Sequence, residues 1–391
     1  MSDEKIVSPE EKGADDSKTV GSLRPKKSKK TNPFRKLVDW FQNLSKKQKI
    51  IFVIVLIFVI AGITTGLVLA LHKDPPPAPK PVVKKVEPKK EEPKPTTVPS
   101  TLTGLQVDPA LNKRTVTGVM IENSPEARPQ SGLTSAGVVF EAIAEGGITR
   151  FLALFQDTQP DYIGPVRSVR PYYLDWLQGF DAPIAHAGGS TDGLAKVKAD
   201  KVKDLDQFAN AKAYQRVNSR YAPHNLYTSS AKLDALEAEK GFTSSTFDGF
   251  TRKTESKLAT PTAKSIDLTI SGYYYNPHYD YDAASNTYKR SMQGKPHTDE
   301  KTGAQIAPKV VIANIMQYKI IDSVGHSGYN TIGSGTSYIF QDGGVTIGTW
   351  SKSSSKSQII FKDSSGAVLK LNPGQTWIAA VGAASGVKYT P

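Results

Sequence analysis

Residues 50–71 read IIFVIVLIFVIAGITTGLVLAL, a stretch without a charged side chain. About 20 apolar residues in a helix span the roughly 30 Å hydrocarbon core of a bilayer, and a helix satisfies its own backbone hydrogen bonds there. A cleaved signal peptide is disfavoured, because the apolar run is long, 49 residues precede it and no small-residue cleavage site accompanies it. The sequence therefore predicts one transmembrane helix at 50–71, with the lipid bilayer as its partner.

The segment before this helix, residues 1–49, is a basic tail. Asn32 and Pro33 are a typical N-cap and first helical residue, and the apolar residues that follow recur at i, i+3, i+4 and i+7. Lysines and arginines surround this stripe, which predicts a short amphipathic helix at 33–45 on an anionic membrane surface. Residues 1–31 are polar and charged, and we expect them to be largely disordered.

The segment after the helix, residues 72–100, is a stalk rich in proline, lysine and glutamate. The prolines of residues 75–99 exclude a regular helix and favour an extended polyproline chain of about 3.1 Å per residue, so these 25 residues reach up to roughly 75 Å. Basic residues flank both sides of the transmembrane helix, with a slight excess on the N-terminal side nearest the helix. We expect a single-pass protein of the cell membrane, with its N-terminus in the cytoplasm and its folded domains outside.

The net charge of +13 is concentrated near the membrane. Residues 1–49 contribute +6 and the stalk +3, whereas the residues from Ser100 onward contribute only +4 although they form most of the chain. A groove for a polyanionic nucleic-acid backbone needs its charge on the folded part. We therefore expect no nucleic acid among the partners.

The globular part of the chain starts near Thr101 and changes character near residue 250. Residues 101–250 contain both strand and helix patterns, and residues 251–391 contain short strand patterns separated by turn sequences such as Asp-Gly-Gly. The clearest strand patterns lie at 115–121, 148–155 and 182–187, and the clearest helical patterns at 168–177 and within 191–240. The predicted fold class is α/β or α+β, with an N-terminal α/β domain followed by a mostly antiparallel β domain.

Several long motifs carry a family resemblance. They are IENSPEARPQSGL (121–133), FEAIAEGGITRFLALF (140–155), IGPVRSVRPYY (163–173), HAGGS (186–190), APHNLY (222–227), SGYYYNPHYDYDAASNTYKR (271–290), QDGGVTIGTWSK (341–352) and LNPGQTWIAAV (371–381). Over about residues 100–391 the chain resembles the YerB-like bacterial lipoproteins, a group built from a domain of unknown function. The resemblance implies an extracytoplasmic, membrane-attached protein of two subdomains, and it brings no established reaction. Members are often anchored through a lipidated cysteine, whereas this chain has no cysteine and its transmembrane helix takes that place.

The densest polar stretch lies at 122–170, where several segments directly follow predicted strands. Binding crevices of α/β folds lie at such strand ends. Arginine side chains match carboxylate and phosphate groups, and the predicted helix start at 168–171 adds free N–H groups, so an anionic cell-wall polymer is the expected ligand. The candidate ligand-binding residues are Glu122, Asn123, Arg128, Arg150, Arg167, Ser168, Arg170, His186, Ser190, Arg216 and Asn225. The alternative interpretation is that the arginines pair with internal glutamates and brace loops.

A catalytic alternative uses Glu141, Glu145 and His224. Two glutamates four residues apart would share one face of a helix and could act as acid and base in glycoside hydrolysis, although residues 138–144 also fit a strand. His224 lies in a Pro-His-Asn loop, where a histidine is either a general base or a structural hydrogen-bonding group. We favour a non-catalytic or weakly catalytic binding protein of the cell envelope over a wall-polymer hydrolase or transferase and over a scaffold for a protein partner that the sequence does not name.

No cofactor or metal is expected. His278, Asp280 and Asp282 alternate on one face of a predicted strand, but a solvated strand face explains the pattern better than a divalent cation. The absence of cysteine excludes disulfides, thiolate metal sites and a cysteine nucleophile. Phosphate-loop, dinucleotide-binding and nucleophile-elbow motifs are absent as well.

Overall fold

The computed structural model describes residues 33–71 and 96–391, and the chain divides into two units, residues 1–90 and residues 91–391. The disorder predicted for 1–31 and nearly all of the predicted polyproline stalk lie outside the described residues.

Two helices form the described part of the first unit, α1 (Pro33–Gln42) and α2 (Lys46–Leu71). α1 occupies most of the amphipathic helix predicted at 33–45. Phe52 of α2 packs edge-on against Phe41 of α1, with ring centroids 5.4 Å apart. Within the described residues α2 is the one helix that is long and apolar enough to cross a membrane, and its large apolar side chains between Ile50 and Ile63 are exposed in the unit.

The second unit is built mainly from strands. Its α-helices are α3 (Pro171–Gln178), α4 (Thr191–Ala199) and α5 (Ser230–Glu239). Its strands are β1 (Val98–Pro99), β2 (Gln106–Val107), β3 (Thr117–Glu122), β4 (Val138–Glu145), β5 (Ile148–Phe155), β6 (Ile184–Ala185), β7 (Gln215–Arg216), β8 (Leu226–Tyr227), β9 (Ser265–Leu268), β10 (Pro277–Asp282), β11 (Thr287–Met292), β12 (Lys295–Pro296), β13 (Val310–Ile315), β14 (Tyr318–Ile320), β15 (Ser327–Tyr329), β16 (Gly333–Gln341), β17 (Gly344–Lys352), β18 (Ile360–Lys362), β19 (Thr376–Val381) and β20 (Val387–Thr390). The mixture of helix and strand agrees with the predicted fold class.

Nine strands form a central sheet in the order β18-β17-β16-β13-β19-β4-β5-β3-β6. In its middle, β19 pairs in parallel with both β13 and β4. Because β4 comes from residues 101–250 and β19 from residues 251–391, the two stretches that the sequence suggested as separate domains share one sheet. Residues 91–391 accordingly form one compact unit.

A second sheet of five strands, in the order β12-β11-β10-β9-β20, is antiparallel throughout. It agrees with the antiparallel pattern expected for the second half of the chain. The parallel pairing of β13 with β19 departs from that expectation. Both strands are buried and apolar and lie in the middle of the central sheet, which is where parallel strands usually occur.

The hairpin of β4 and β5 supplies the middle of the central sheet. β5 has the bounds that the sequence predicted, and residues 138–144 form a strand and not a helix. Gly146 and Gly147 connect the two strands, with φ angles of +55° and +79°. Two successive positive φ angles fit the tight turn that joins antiparallel strands, and glycine adopts them without steric cost.

Both faces of the central sheet are buried, as β4 illustrates. Val138 and Phe140 pack with α3 and α4 on one face, and Val139 packs with α5 on the other. A third cluster, which contains Ile143, lies between the central and the five-stranded sheets. Successive side chains of a strand point to opposite faces, so a strand covered on both sides is apolar throughout. Glu141 in the middle of β4 is the exception.

The folded unit begins before the boundary predicted at residue 101. Val98–Pro99 pairs antiparallel with Gln106–Val107. The buried hydroxyl of Ser100 donates a hydrogen bond of 2.6 Å to the carboxylate of Asp157. Residues 98–100, assigned by composition to the stalk, therefore belong to the fold.

Glu237 of α5 ties that helix to the central sheet. Its carboxyl group is buried and accepts a hydrogen bond of 2.6 Å from the hydroxyl of Thr117 on β3. Burial raises the pKa of Glu237 from 4.5 to about 7. The folded state therefore binds this proton more tightly than the unfolded chain does. Its contribution to stability is complete below pH 4.5 and is lost as the pH rises through about 7.

We expect Glu237→Gln to be about 3 kcal/mol more stable than the wild type at about pH 8 and equally stable near pH 4.5. The substitution removes the titration and keeps an acceptor for Thr117. Urea denaturation of residues 91–391 at both pH values measures the difference. Glu239→Gln, an exposed change on the same helix, is the control and should leave the pH dependence unchanged. A wild type and a Glu237→Gln variant with parallel pH profiles would contradict the assignment.

Candidate functional site

Three polar residues meet around the carboxylate of Glu122, at the end of β3. Nε of Arg167 lies 3.2 Å from Oε1 of Glu122, and the hydroxyl of Ser124 donates to the same oxygen over 3.1 Å. Nδ1 of His224 lies 3.0 Å from Oε2. We call Glu122, Ser124, Arg167 and His224 the Glu122 cluster. The side chain of Glu122 is 4% exposed, whereas those of Arg167 and His224 are 23% and 22% exposed.

Three segments of the backbone hold this cluster in place. The backbone N–H of Arg167 donates to Met120 over 2.9 Å, which lays the segment before α3 along β3. The N–H of Val166 donates to Leu226 of β8 over 2.7 Å, which brings in the loop that carries His224. Arg167 and His224 are thus fixed by main-chain pairing on two sides of the carboxylate.

Arg216 and Asn225 lie beside the cluster. Nη1 of Arg216 donates to Oδ1 of Asn225 over 2.7 Å, and the Asn225 amide donates to the backbone of Val217 over 3.0 Å. Burial lowers the pKa of Arg167, the carboxylate of Glu122 opposes this, and the nearby charges of Arg150 and Arg216 lower the pKa further. Within residues 33–71 and 96–391 no carboxylate lies within ion-pair distance of Arg216.

Arg150 and Arg170 share the carboxylate of Glu145. Nη2 of Arg150 lies 2.8 Å from Oε1 of Glu145, and Arg170 is paired with Oε2. Arg150 also donates to the backbone oxygen of Ser168 over 2.6 Å. Burial lowers the pKa of both arginines. These two arginines brace the segment before α3. This is the arrangement of the alternative interpretation, in which arginines pair with internal glutamates.

Glu141 belongs to a different cluster, inside the protein. Its carboxylate pairs with Arg290 at 3.0 Å, accepts a hydrogen bond of 2.9 Å from the indole N–H of Trp377, and is fully buried together with Arg290. The guanidinium of Arg290 lies over the Trp377 ring, 4.5 Å from its centroid, and donates to the hydroxyl of Tyr279 and to Nδ1 of His297. Burial lowers the pKa of His297 well below its ordinary value, so its ring is a neutral acceptor.

Glu141 and Glu145 do not form the acid–base pair that their spacing suggested. The pairing of β4 with β5 shifts register between Ile143 and Glu145. This irregularity turns Glu145 toward Arg150 and α3, while Glu141 faces Arg290 and the five-stranded sheet. Each carboxylate is held by its own arginine partners. Sequence spacing gave no signal for Arg290, Trp377 or His297, because they come from β11, β19 and a distant loop.

The remaining candidate residues are structural in their contacts. Arg128 donates to the side chain of Asn123 over 3.0 Å and to the backbone of Tyr274 over 2.7 Å, and burial together with the charge of Arg290 lowers the pKa of Arg128 to about 10. His186 is buried, with its ring nitrogens facing Asp204 and the backbone of Gly188. Ser190 is the N-cap of α4.

His278 is engaged by carboxylates on the five-stranded sheet. Nδ1 lies 2.8 Å from Asp267 and Nε2 lies 3.1 Å from Asp280, while Asp282 pairs with Lys289 instead. In the part of the chain that the structure describes, no group of three metal-ligating side chains is assembled.

Comparison with known proteins agrees with these architectural features. Two family models match the chain: the N-terminal domain of a protein of unknown function, DUF3048, over residues 102–243, and its C-terminal domain over residues 266–378. The chain is 32% identical over 286 residues to a protein of Bacillus subtilis (strain 168), YerB, whose name proposes that it is a lipoprotein. The alignment covers 72% of this chain and 85% of that protein.

The crystal structure of YerB from Bacillus subtilis is also similar, with a TM-score of 0.69 and 28% sequence identity. The match covers 75% of this chain and all of the crystallised chain. The resemblance seen in the sequence motifs is therefore confirmed in both sequence and fold. The chain belongs to the YerB-like family, which is built from the N- and C-terminal DUF3048 domains.

Proposed function

We propose that the Glu122 cluster and Arg216 bind an anionic component of the cell envelope. The observation that carries this proposal is the surplus of positive charge around one carboxylate. Glu122 is shared between Arg167 and His224, and Arg216 has only an amide partner. An anionic group would complete the pairing of both arginines.

Arg167 has the geometry that such binding requires. Its Nε lies 3.2 Å from Glu122, and among the described residues its two terminal nitrogens donate no hydrogen bond. Those nitrogens form the fork that matches two oxygens of a phosphate or carboxylate. With 23% of its side chain exposed, Arg167 is accessible to a ligand, in contrast to Arg150 and Arg170.

The apolar helix of the first unit and the name of the relative support the proposed location. α2 is long and apolar enough to anchor the chain in a membrane, and the similar YerB protein is named as a lipoprotein. We infer a single-pass protein with a cytoplasmic N-terminus, whose residues 96–391 lie outside the membrane. A polyproline-like stalk would hold this unit at the depth of a bacterial wall, where anionic polymers are abundant.

Sedimentation of residues 91–391 with purified wall sacculi tests the proposal. We expect Arg167→Ala and Arg216→Ala each to weaken binding by about tenfold, because a hydrogen bond to a charged group is worth roughly 1.5–3 kcal/mol. Added salt should also weaken binding, since the contacts are partly exposed.

Lys370→Ala is the matched control. It removes one exposed positive charge near β18, at the opposite end of the central sheet from β3. Equal retention of the wild type, the two arginine variants and the control would contradict the proposal. Arg170→Ala is unsuitable as a test of binding, because Arg170 is buried against Glu145 and its loss would disturb the fold.

A further inference from the structure

We propose that Glu122 and His224 form a general-base dyad, which hydrolyses a phosphodiester held by Arg167 and Arg216. The inference rests on the proposed function, because the arginines that would bind the anion also hold the substrate. It assigns hydrolysis to Glu122 and His224, and not to Glu141 and Glu145, which the sequence suggested as an acid–base pair.

The orientation of His224 is that of a general base supported by a carboxylate. Its Nδ1 lies 3.0 Å from Oε2 of Glu122, which is almost fully buried. A buried carboxylate facing Nδ1 fixes the tautomer with the proton on Nδ1, which leaves a lone pair on Nε2. Within the described residues Nε2 has no hydrogen-bond partner, and the side chain is 22% exposed. The basic nitrogen is therefore free of partners within the described residues, on the side of the ring away from Glu122.

Ser124 is not placed to be a nucleophile. Its hydroxyl lies 3.3 Å from Nδ1 of His224, on the same side of the ring as Glu122, and not at Nε2. It donates to Oε1 of Glu122 over 3.1 Å and is buried. Ser124 is therefore a positioning residue for the carboxylate, and the nucleophile at Nε2 is a water molecule.

The charge of the site selects among reaction types. Glycoside hydrolysis needs two carboxylates on either side of the bond and passes through a positively charged transition state. Here Glu141 and Glu145 are both held in ion pairs elsewhere, and two arginines adjoin the single carboxylate of the cluster. Arginines stabilise negative charge that develops on phosphoryl oxygens, so the cluster favours phosphoryl transfer to water.

The step balances without a further reactant. Nε2 of His224 removes a proton from water while the water oxygen forms a bond to phosphorus. The bond from phosphorus to the ester oxygen opposite the attacking water breaks, that oxygen takes up a proton from solvent, and Nε2 returns its proton to solvent. The products are a phosphomonoester and an alcohol. Glu122 stabilises the imidazolium between the two proton transfers, and Arg167 and Arg216 hold the non-bridging oxygens.

The test uses the full-length chain in detergent micelles with bis(p-nitrophenyl) phosphate, followed by release of p-nitrophenolate. We expect the wild type to turn the substrate over and His224→Gln to lose roughly 100-fold or more in kcat. Glu122→Gln should also lose turnover, because the carboxylate that keeps the proton of His224 on Nδ1 is gone. Lys370→Ala should retain turnover. Imidazole added to His224→Gly should restore part of the rate, which a purely structural role of the histidine would not allow.

A titration with dimethyl phosphate, monitored by calorimetry, separates the two proposals. Binding by the wild type and by His224→Gln, with turnover by the wild type alone, supports the dyad. Binding without turnover by the wild type overturns the dyad and leaves the binding function intact. Turnover by His224→Gln at the wild-type rate also overturns the dyad. Failure of the wild type to bind or to turn over any phosphodiester overturns the dyad together with phosphate binding.

Discussion

Replacing Arg290 by methionine is expected to destabilise residues 91–391 by about 3–5 kcal/mol, because it leaves a buried carboxylate without its counter-charge. Glu141 and Arg290 are both fully buried, 3.0 Å apart. Methionine approximates the length of the arginine side chain but cannot replace its hydrogen bonds to Tyr279 and His297. Urea denaturation of the wild type and the variant measures the loss.

The position of the pair explains the size of the effect. Glu141 lies on β4 of the central sheet, and Arg290 on β11 of the five-stranded sheet. Trp377 of β19 packs over the guanidinium and donates to Glu141 over 2.9 Å. The cluster therefore joins the first and second halves of the folded unit where both sheets meet.

Two further variants make this prediction specific. Lys289→Met removes a charge from the neighbouring position of β11, where the lysine is half exposed, and should cause no comparable loss. The double variant Glu141→Leu/Arg290→Met removes both charges and should recover part of the stability lost in Arg290→Met. If Arg290→Met and Lys289→Met were equally stable, the buried pair would not have the role assigned to it.

Glu145→Gln is expected to destabilise the same unit by about 3 kcal/mol, because two buried guanidinium groups lose their common carboxylate. The side chains of Arg150 and Arg170 are 2% and 5% exposed, and each is paired with one oxygen of Glu145. Burial already lowers the pKa of both arginines, which shows that their surroundings disfavour an isolated charge. The midpoint of urea denaturation reports the change.

The control for this prediction is Glu239→Gln, which breaks an exposed ion pair with Lys212. Exposed pairs contribute little, so no measurable loss is expected there. The loss in Glu145→Gln should also persist in high salt, since buried pairs are screened much less than exposed ones. A Glu145→Gln variant as stable as Glu239→Gln would show that Glu145 does not hold the two arginines.

The sequence predicted the local elements of this fold better than their arrangement. β5 is specified by the apolar run at 148–155, and α4 and α5 begin at the N-caps Ser190 and Ser229. All of these signals act within a few residues. The parallel pairing of β4 with β19 joins residues more than 200 positions apart, and no local pattern encodes it. The boundary predicted near residue 250 falls between the two family matches, residues 102–243 and 266–378, but the sequence did not show that strands from both stretches share one sheet.

The candidate site shows the same limit. Glu122, Arg167 and His224 were each singled out as chemically interesting, and the structure brings them together. Their contacts span up to 102 positions, so the sequence could not show which residues would meet. Glu141 and Glu145 were paired by spacing, but a one-residue irregularity in β4 sends their side chains to different partners. Glu141 and Glu145 are thereby held in structural ion pairs, and Glu122 is the glutamate for which we propose a role in binding.

Titration of residues 91–391 with dimethyl phosphate, followed by NMR of the arginine Nε–H groups, tests the central claim most directly. The signals of Arg167 and Arg216, assigned through Arg167→Ala and Arg216→Ala, should shift and saturate, while those of the braced Arg150 and Arg170 should remain in place. Sodium chloride at equal ionic strength should not reproduce the shifts. Uniform, non-saturating changes across all four arginines would contradict an anion site at the Glu122 cluster.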